Sequence, residues 1–247
     1  MAQLIINYAT RNREKLFLAS LKNITETIGL TDYIILVSSD LDDFVMNSDA
    51  MRNKIAQFPN TEIYYNEPTN KVGAINATTK YFGDFHWLIN HSDDFLYIEK
   101  DWGAKMFRRI RNTWGDNTDF SAHFNDNYTY DKLCTMHIVG KDYFDRDGYI
   151  YNNSYGSICC DCEAYFVSQM RGRYNYFPEI FFHHVHPSNL GFAADETYRR
   201  NDAHGENDVK VYFERMKILF GVENPIMIPE VLRKEMIEKG FKIPNNL

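Results

Sequence analysis

The sequence predicts an α/β protein with a mostly parallel sheet flanked by helices and closed by C-terminal helices. Three observations predict it. Short apolar runs alternate with stretches of helical periodicity through the first hundred residues. Each apolar run ends in a polar cluster. The chain of 247 residues, 44% of them hydrophobic, is long enough for one large domain with a sizeable core and short for two.

The elements follow in order. Leu4-Ile5-Ile6-Asn7-Tyr8-Ala9 reads as a buried strand, broken by Thr10-Arg11-Asn12, where Thr10 or Asn12 is placed to cap a helix. Phe17, Leu21, Ile24 and Ile28 share one helical face, and Gly29 offers its stop. Tyr33-Ile34-Ile35-Leu36-Val37 is a second strand and leads to Ser38-Ser39-Asp40. A helix over 48–57 precedes a third strand, Glu62-Ile63-Tyr64-Tyr65. A helix over 73–82 precedes a fourth, His86-Trp87-Leu88-Ile89, which runs into Asn90-His91-Ser92-Asp93-Asp94. Later, residues 160–171 read as helix. Val209, Tyr212, Phe213, Met216 and Phe220 form an apolar stripe, and a last helix runs from Pro229 to Lys239 with Gly240 as its stop. In a parallel sheet ligands bind outside the carboxyl ends of the strands. The polar clusters lie at those ends.

Composition narrows the function. The formal net charge is -7, which excludes a general nucleic-acid coat protein. Local basic runs remain at Arg108-Arg109-Ile110-Arg111 and Arg171-Gly172-Arg173, with a solvated helix face as the plainer reading. The mean hydropathy is -0.47, no apolar run is long enough to span a bilayer, and the N-terminus lacks a signal-peptide pattern. The expectation is a cytoplasmic protein without membrane insertion. Cys134 and the run Cys159-Cys160-Asp161-Cys162 are then expected as reduced, mostly buried thiols, with zinc a minor alternative because His183, His184 and His186 follow.

The pair Asp93-Asp94 directly after a strand carries the strongest chemical signal. Adjacent acids repel unless a cation or hydrogen-bond donors compensate. Mg²⁺ and Mn²⁺ take carboxylate oxygens together with substrate phosphates, and a diphosphate leaving group needs such a clamp. The alternative is a helix N-cap built from Ser92-Asp93-Asp94.

With these residues in place, the first hundred positions resemble family 2 glycosyltransferases of the GT-A fold. Ala9-Thr10-Arg11-Asn12-Arg13 resembles the turn that contacts the nucleotide after the first strand, and Ser38-Ser39-Asp40 the acidic loop that holds the base. Asn70-Lys71-Val72-Gly73-Ala74-Ile75-Asn76 resembles the family's Asn-Lys-Gly…Ala-x-Asn segment. His91-Ser92-Asp93-Asp94 stands where the family has its Asp-x-Asp signature, with His91 replacing the usual first aspartate.

The resemblance implies a nucleotide-sugar donor, UDP-linked foremost, and a Mn²⁺ or Mg²⁺ ion. It places Ala9, Thr10, Arg11, Arg13, Asp40, Lys71, Asn76, Ser92 and Asp93 on the donor, and Asp93 with Asp94 on the metal. In a subgroup of GT-A enzymes a His-x-His-Pro stretch follows an edge strand, as His184-Val185-His186-Pro187 does here. His184 and His186 alternate, so in an extended segment both point to one face, toward metal or diphosphate. The resemblance also puts the base of an inverting transferase at an acid near the start of the helix over 160–171. A carboxylate there would take the proton of the attacking hydroxyl. Asp161 is the first choice and Glu163 the second, against the plainer reading of an acidic first helical turn.

One domain over 1–247 is expected: 1–100 binds the nucleotide-sugar, 101–205 carries acceptor and catalytic groups, and 206–247 is a helical segment. Trp102 and Trp114 are candidates to stack on the acceptor, with core packing the default. The acceptor is open between a glycan and a hydroxylated DNA base. The competing functions are a non-catalytic sugar- or nucleotide-binding protein on the same fold, and a nucleotidyltransferase. The second lacks its glycine-rich loop, because Ala9–Arg13 holds no Gly.

Overall fold

A computed structural model describes residues 2–186, 190–191, 193 and 195–244. Its main sheet has seven strands: β1 (Ala2–Ala9), β2 (Tyr33–Asp40), β3 (Thr61–Asn66), β4 (Phe85–His91), β6 (Ser121–Phe124), β7 (Ile138–Gly140) and β8 (Tyr174–Phe177). They lie in the order β3-β2-β1-β4-β7-β6-β8. β1 to β4 are mutually parallel; β7 runs antiparallel to β4 and β6, and β8 returns parallel to β6. β5 (Phe95–Tyr97) and β9 (Phe182–His184) form a separate antiparallel pair.

The nearly continuous apolar character of β1, β2 and β4 follows from burial on both faces. Leu4, Ile6, Tyr8, Ile35, Val37, Trp87 and Ile89 enter one core with α1 (Glu14–Thr27) and α4 (Trp102–Trp114). Ile5, Leu36 and Leu88 enter the other. That second core is covered by α3 (Lys71–Asn76), α5 (Lys141–Asp145), α6 (Cys160–Met170), α8 (Gly205–Lys217) and α9 (Glu230–Glu238). α2 (Asp49–Ile55) and α7 (Glu196–Asp202) complete the helices used below. Gly29 stands at φ +64 after α1, and Gly240 at φ +69 after α9, so both stops fall where they were predicted.

Four local expectations change. Neither Thr10 nor Asn12 caps α1: the N-cap is Arg13, without a side-chain bond, and Asn12 has φ 51. The helix expected over 73–82 is α3 followed by a separate 3-10 turn at Thr79–Tyr81. It starts early because Asn70 accepts from Gly73 N at 2.8 Å, and it ends early because the Thr79 hydroxyl takes the Asn76 carbonyl at 2.9 Å. Ser92-Asp93-Asp94 caps no helix; it turns β4 into β5. In α8 the inward position goes to Asp208, fully buried, while Val209 is exposed.

The chain builds β1, β2 and β3 outward to one side and then returns to lay β4 on the other side of β1. The loops leaving β1 and β4 therefore part at their carboxyl ends, and a crevice opens there. Among the described residues no helix is long and apolar enough to cross a membrane.

Candidate functional site

A cavity of about 380 Å³ occupies that crevice. Its size is in the ordinary range for a small-molecule site. It brings together Ala9, Thr10, Arg11, Arg13, Asp40, Lys71, Ser92, Asp93, Asp94, Asp161, His184 and His186, all singled out in the sequence. Asn76 and Glu163 are not among its walls.

The wall made by β1, β2 and α7 is a set of charge pairs. Arg11, on the turn after β1, pairs with Asp40 and reaches Asp42 Oδ1 at 2.5 Å. Burial raises the Asp40 carboxyl against the pull of Arg11. Arg200 of α7 lies 3.6 Å from the same carboxylate and donates to the Thr69 carbonyl at 2.7 Å. Arg13 is buried between two acids. Its Nη1 meets Asp93 Oδ1 at 2.6 Å, while Nε and Nη2 each donate to Asp195 at 2.8 Å. Its guanidinium also lies 4.3 Å from the centre of the Tyr198 ring. The Thr10 hydroxyl adds a bond to Asp93 Oδ2 at 3.3 Å. Asp195 caps α7 by accepting from Tyr198 N, so one carboxylate starts the helix and ties it to Arg13 at the start of α1.

Asp94 points the other way. Its Oδ2 accepts from the Tyr198 hydroxyl at 2.7 Å and lies 3.5 Å from His184 Nε2. The other ring nitrogen of His184 lies 3.4 Å from Asp126 Oδ2. Burial opposes charge on His184, but the two carboxylates overcome it and push its pKa up to about 9. Burial likewise opposes charge on Asp94, yet His184, Ser92 and Tyr198 hold it well below the usual carboxylate range. Burial pushes the neighbouring Asp93 upward, with Arg13 pulling down. His186 follows on the same face, its ring centre 5.3 Å from that of His184, and it stacks on Tyr128. Pro187 lies outside the described residues.

Asp94 Oδ1 is buried without a hydrogen-bond partner among the described residues. A hard cation suits such an oxygen. Among the described residues no group of three or more His, Cys, Asp or Glu forms a cage of its own. What these groups offer a divalent ion is the unpartnered Asp94 oxygen. His91 takes no part in that set. It is buried between Ser20, 2.9 Å from Nε2, and Tyr97, and burial pushes its pKa down to about 3. It is a neutral core residue under the signature turn.

A separate wall is the turn into α6. Cys159 adopts φ 63, and Asp161 follows in the first helical turn, half-buried and facing the cavity. Two residues further, helical spacing turns Glu163 away. Arg215 donates to it at 2.6 and 2.7 Å, and the Tyr155 hydroxyl at 2.7 Å. The turn itself is held by Asp208 of α8, which accepts from Gly156 N, Ser157 N and Ile158 N at 2.7 to 2.9 Å. Gly156 is required there: a Cβ would sit 2.4 Å from the His204 ring. Opposite lies the loop after β6. Asp126 organises it by accepting from Tyr128 N, Thr129 N and the Thr135 hydroxyl at 2.7 to 2.9 Å.

The remaining candidates have definite places. Lys71 is exposed at the start of α3 and lines the cavity. Asn76 ties down the 150–153 loop, accepting from Ile150 N at 3.0 Å and donating to Tyr151 O at 2.7 Å. Trp102 is fully buried and stacks on Tyr97, and Trp114 packs beside the core. The four cysteines are free thiols; Cys134 and Cys160 are buried. In the basic runs Arg109 pairs with Glu179, Arg111 with Asp116, Arg171 with Asp147 and Arg173 with Asp119, while Arg108 is exposed.

Sequence reasoning missed Asp126, Asp195, Tyr198, Arg200 and Asp208 as site residues. Asp195 and Tyr198 lie three residues apart, but nothing local ties them to Arg13 and Asp94. Asp208 left one trace, an acid on the apolar stripe of α8.

No family model matches the chain, and no curated protein matches it in sequence. Solved structures match in fold. TarS 1-349 from S. aureus, in complex with UDP-GlcNAc, aligns with a TM-score of 0.64 over 96% of this chain and 71% of that one, at 11% identity. The fold is GT-A-like. The mannosyltransferase PcManGT from Pyrobaculum calidifontis, in complex with GDP-Man and Mn²⁺, aligns at 0.56 over 97% and 81%, with 12% identity. Against a longer TarS chain the TM-score is 0.62, and this chain covers 44% of it. At such identities the shared property is the fold, and a closer tie to family 2 rests on the motif resemblance.

Proposed function

We infer that the protein transfers a sugar from a nucleotide-sugar donor, UDP-linked foremost, to an acceptor hydroxyl with inversion at the anomeric carbon. The observation that carries this reading is one cavity at the switch point of the sheet, with cations on the wall of β1, α3 and α7 and a carboxylate, Asp161, on another. The GT-A-like fold supports it.

In this reading the base lies against Arg11 and Asp40, with Ala9 and Thr10 supplying the turn beneath it. Lys71 and Arg200 meet the diphosphate. Asp94, through Oδ1, and His186 beside it would hold a Mn²⁺ or Mg²⁺ ion. When bound, that ion supplies positive charge for the leaving diphosphate. Asp93 keeps Arg13 in register, Ser92 and His184 orient Asp94, and Tyr198 closes the turn. Asp161 takes the proton of the acceptor hydroxyl as its oxygen bonds the anomeric carbon and the bond to the diphosphate breaks. Glu163 is left as an anchor for Arg215, and Asn76 as a tie for the 150–153 loop. The unit is one domain over 1–247, with donor groups drawn mainly from 1–100 and the base from 101–205.

Nucleotide release from a panel of UDP- and GDP-sugars tests the reading, measured with Mn²⁺, with chelator, and with Asp161→Asn. Metal-dependent release that Asp161→Asn abolishes while donor binding persists is the expected result. Equal release by Asp161→Asn would overturn the role of Asp161.

A further inference from the structure

Cysteines crowd the turn that carries Asp161. Cys159-Cys160-Asp161-Cys162 runs from the N-cap of α6 into its first helical turn. The Cys159 carbonyl accepts from Glu163 N at 3.0 Å, so Cys159 already closes that turn. Residues three apart at a helix start are neighbours, with Cβ atoms about 5–6 Å apart, and a disulfide draws them to about 4 Å. Cys159 and Cys162 have this spacing.

The other thiols are engaged elsewhere. Cys160 is buried in the second core, and its Sγ donates to the Ser157 carbonyl at 3.1 Å. Cys134 is buried, and its Sγ donates to the Met136 carbonyl at 3.5 Å. Cys159 and Cys162 are each half-buried, and Cys159 lines the cavity. Of the other two thiols in the run, Cys159 acts more strongly on Cys162. Acids face the pair from three helices: Asp161 of α6, Asp208 of α8 and Glu235 of α9. Burial first, and these acids with it, push the Cys159 thiol up to about 11 and raise Cys162 as well. Both are protonated at neutral pH, so exchange with a disulfide is slow there and quickens as thiolate forms.

Closing the pair is felt at Asp161. The chain before it is pinned, since Asp208 accepts from Ser157 N at 2.7 Å and from Ile158 N at 2.9 Å. The chain after it is pinned too, because Glu163 accepts from Arg215 at 2.6 and 2.7 Å. Any shortening between the two thiols therefore falls on 159–162. Cys159 starts at φ 63, the left-handed region in which an L side chain is strained, so it yields first. Asp161 Oδ1 accepts from Cys162 N at 3.0 Å, which ties the carboxylate to a residue that moves.

We propose that Cys159 and Cys162 are a thiol modification site, which a small disulfide of the oxidised-glutathione class closes into an intramolecular disulfide that draws Asp161 out of its place. The effect on Asp161 rests on the glycosyltransferase reading above; the bond itself does not. The Cys159 thiolate attacks one sulfur of oxidised glutathione, and one glutathione thiolate leaves. The Cys162 thiolate then attacks the Cys159 sulfur of the mixed disulfide, and the second glutathione leaves. The protein loses two electrons and two protons, and oxidised glutathione takes them up as two molecules of glutathione.

The test uses the intact chain in mildly alkaline buffer with oxidised glutathione, followed by alkylation and peptide mapping. The expected product has lost two hydrogens, carries its bridge between Cys159 and Cys162, and leaves Cys134 and Cys160 to be alkylated. Sugar transfer should fall by about tenfold or more, within what a positioned base supplies, and return with dithiothreitol. Nucleotide affinity by calorimetry should stay where it was. Cys162→Ser should transfer like the wild type when reduced, and under oxidised glutathione it should stop at a glutathione adduct on Cys159. A wild-type chain that keeps the adduct, stays fully reduced, or bridges through Cys134 or Cys160 overturns the site. A mapped Cys159–Cys162 bridge with transfer unchanged overturns the effect on Asp161. A reduced chain that binds neither UDP nor GDP in the presence of Mn²⁺ overturns the underlying reading instead, and the mapping still decides the bridge.

Discussion

The two walls of the cavity are built by different means. The wall of β1, β2 and α7 is held by side chains of opposite charge: Arg11 on Asp40 and Asp42, Arg13 on Asp93 and Asp195. The wall around Asp161 is held by backbone: Asp126 and Asp208 each gather amides of a loop and fix it in place. The difference assigns them different work. A charge-built wall can exchange its internal partners for a phosphate or a base. A backbone-built wall keeps one shape and holds a carboxylate at a set place for proton transfer.

The sharpest way to break this division is Asp161→Asn. Transfer should fall by roughly 10²–10⁴-fold, the ordinary worth of a positioned base, while donor affinity by calorimetry stays at the wild-type value. A parallel loss of donor affinity would erase the distinction. Next comes the buried ion pair. Asp93→Asn leaves Arg13 short of a partner at a site almost closed to solvent, and breaking such a pair costs about 3 kcal/mol. Thermal unfolding should move down accordingly, and donor affinity should weaken with it.

Asp208→Asn probes the other wall. Three amide bonds lose their charged acceptor, which should cost about 2 kcal/mol. Turnover should drop as Asp161 loses its frame, with the nucleotide dissociation constant unmoved. The smallest effect is a pH dependence of stability. His137 is buried, and burial pushes its pKa down to about 4 from 6.5. The unfolded chain then binds this proton more readily, so the contribution is whole above pH 6.5 and is lost as pH falls from 6.5 toward 4. At pH 5.5 the loss is roughly 1 kcal/mol, and His137→Gln should flatten that part of the profile in chemical denaturation.

Much of this division follows how far apart in the chain the partners lie. Strands β1 to β4 were legible because each is a short apolar run with a polar end. Arg11, Asp40, Asp93 and Asp94 were legible for the same reason, since a strand end projects its polar residues into the crevice; Lys71, which opens α3, was legible through the motif resemblance. Local signals misled where a distant partner claimed the group. Thr10 had cap chemistry but bonds Asp93, and Glu163 had the same helical turn as Asp161 but is claimed by Arg215, 52 residues away. Asp195, Asp126 and Asp208 were silent because their partners come only with the fold. Arg13 and Asp195 are 182 residues apart. The acidic partners of Arg109, Arg171 and Arg173 in the basic runs, remote in sequence, were silent in the same way.

The central claim is that the charge-built wall is a nucleotide site. Titration calorimetry of the intact chain with UDP and GDP, first with Mn²⁺ and then with chelator, tests it most directly. The account predicts binding of one nucleotide that weakens when the metal is removed and again in Arg11→Ala. Heat changes absent for both nucleotides, or binding that Arg11→Ala leaves untouched, would contradict it.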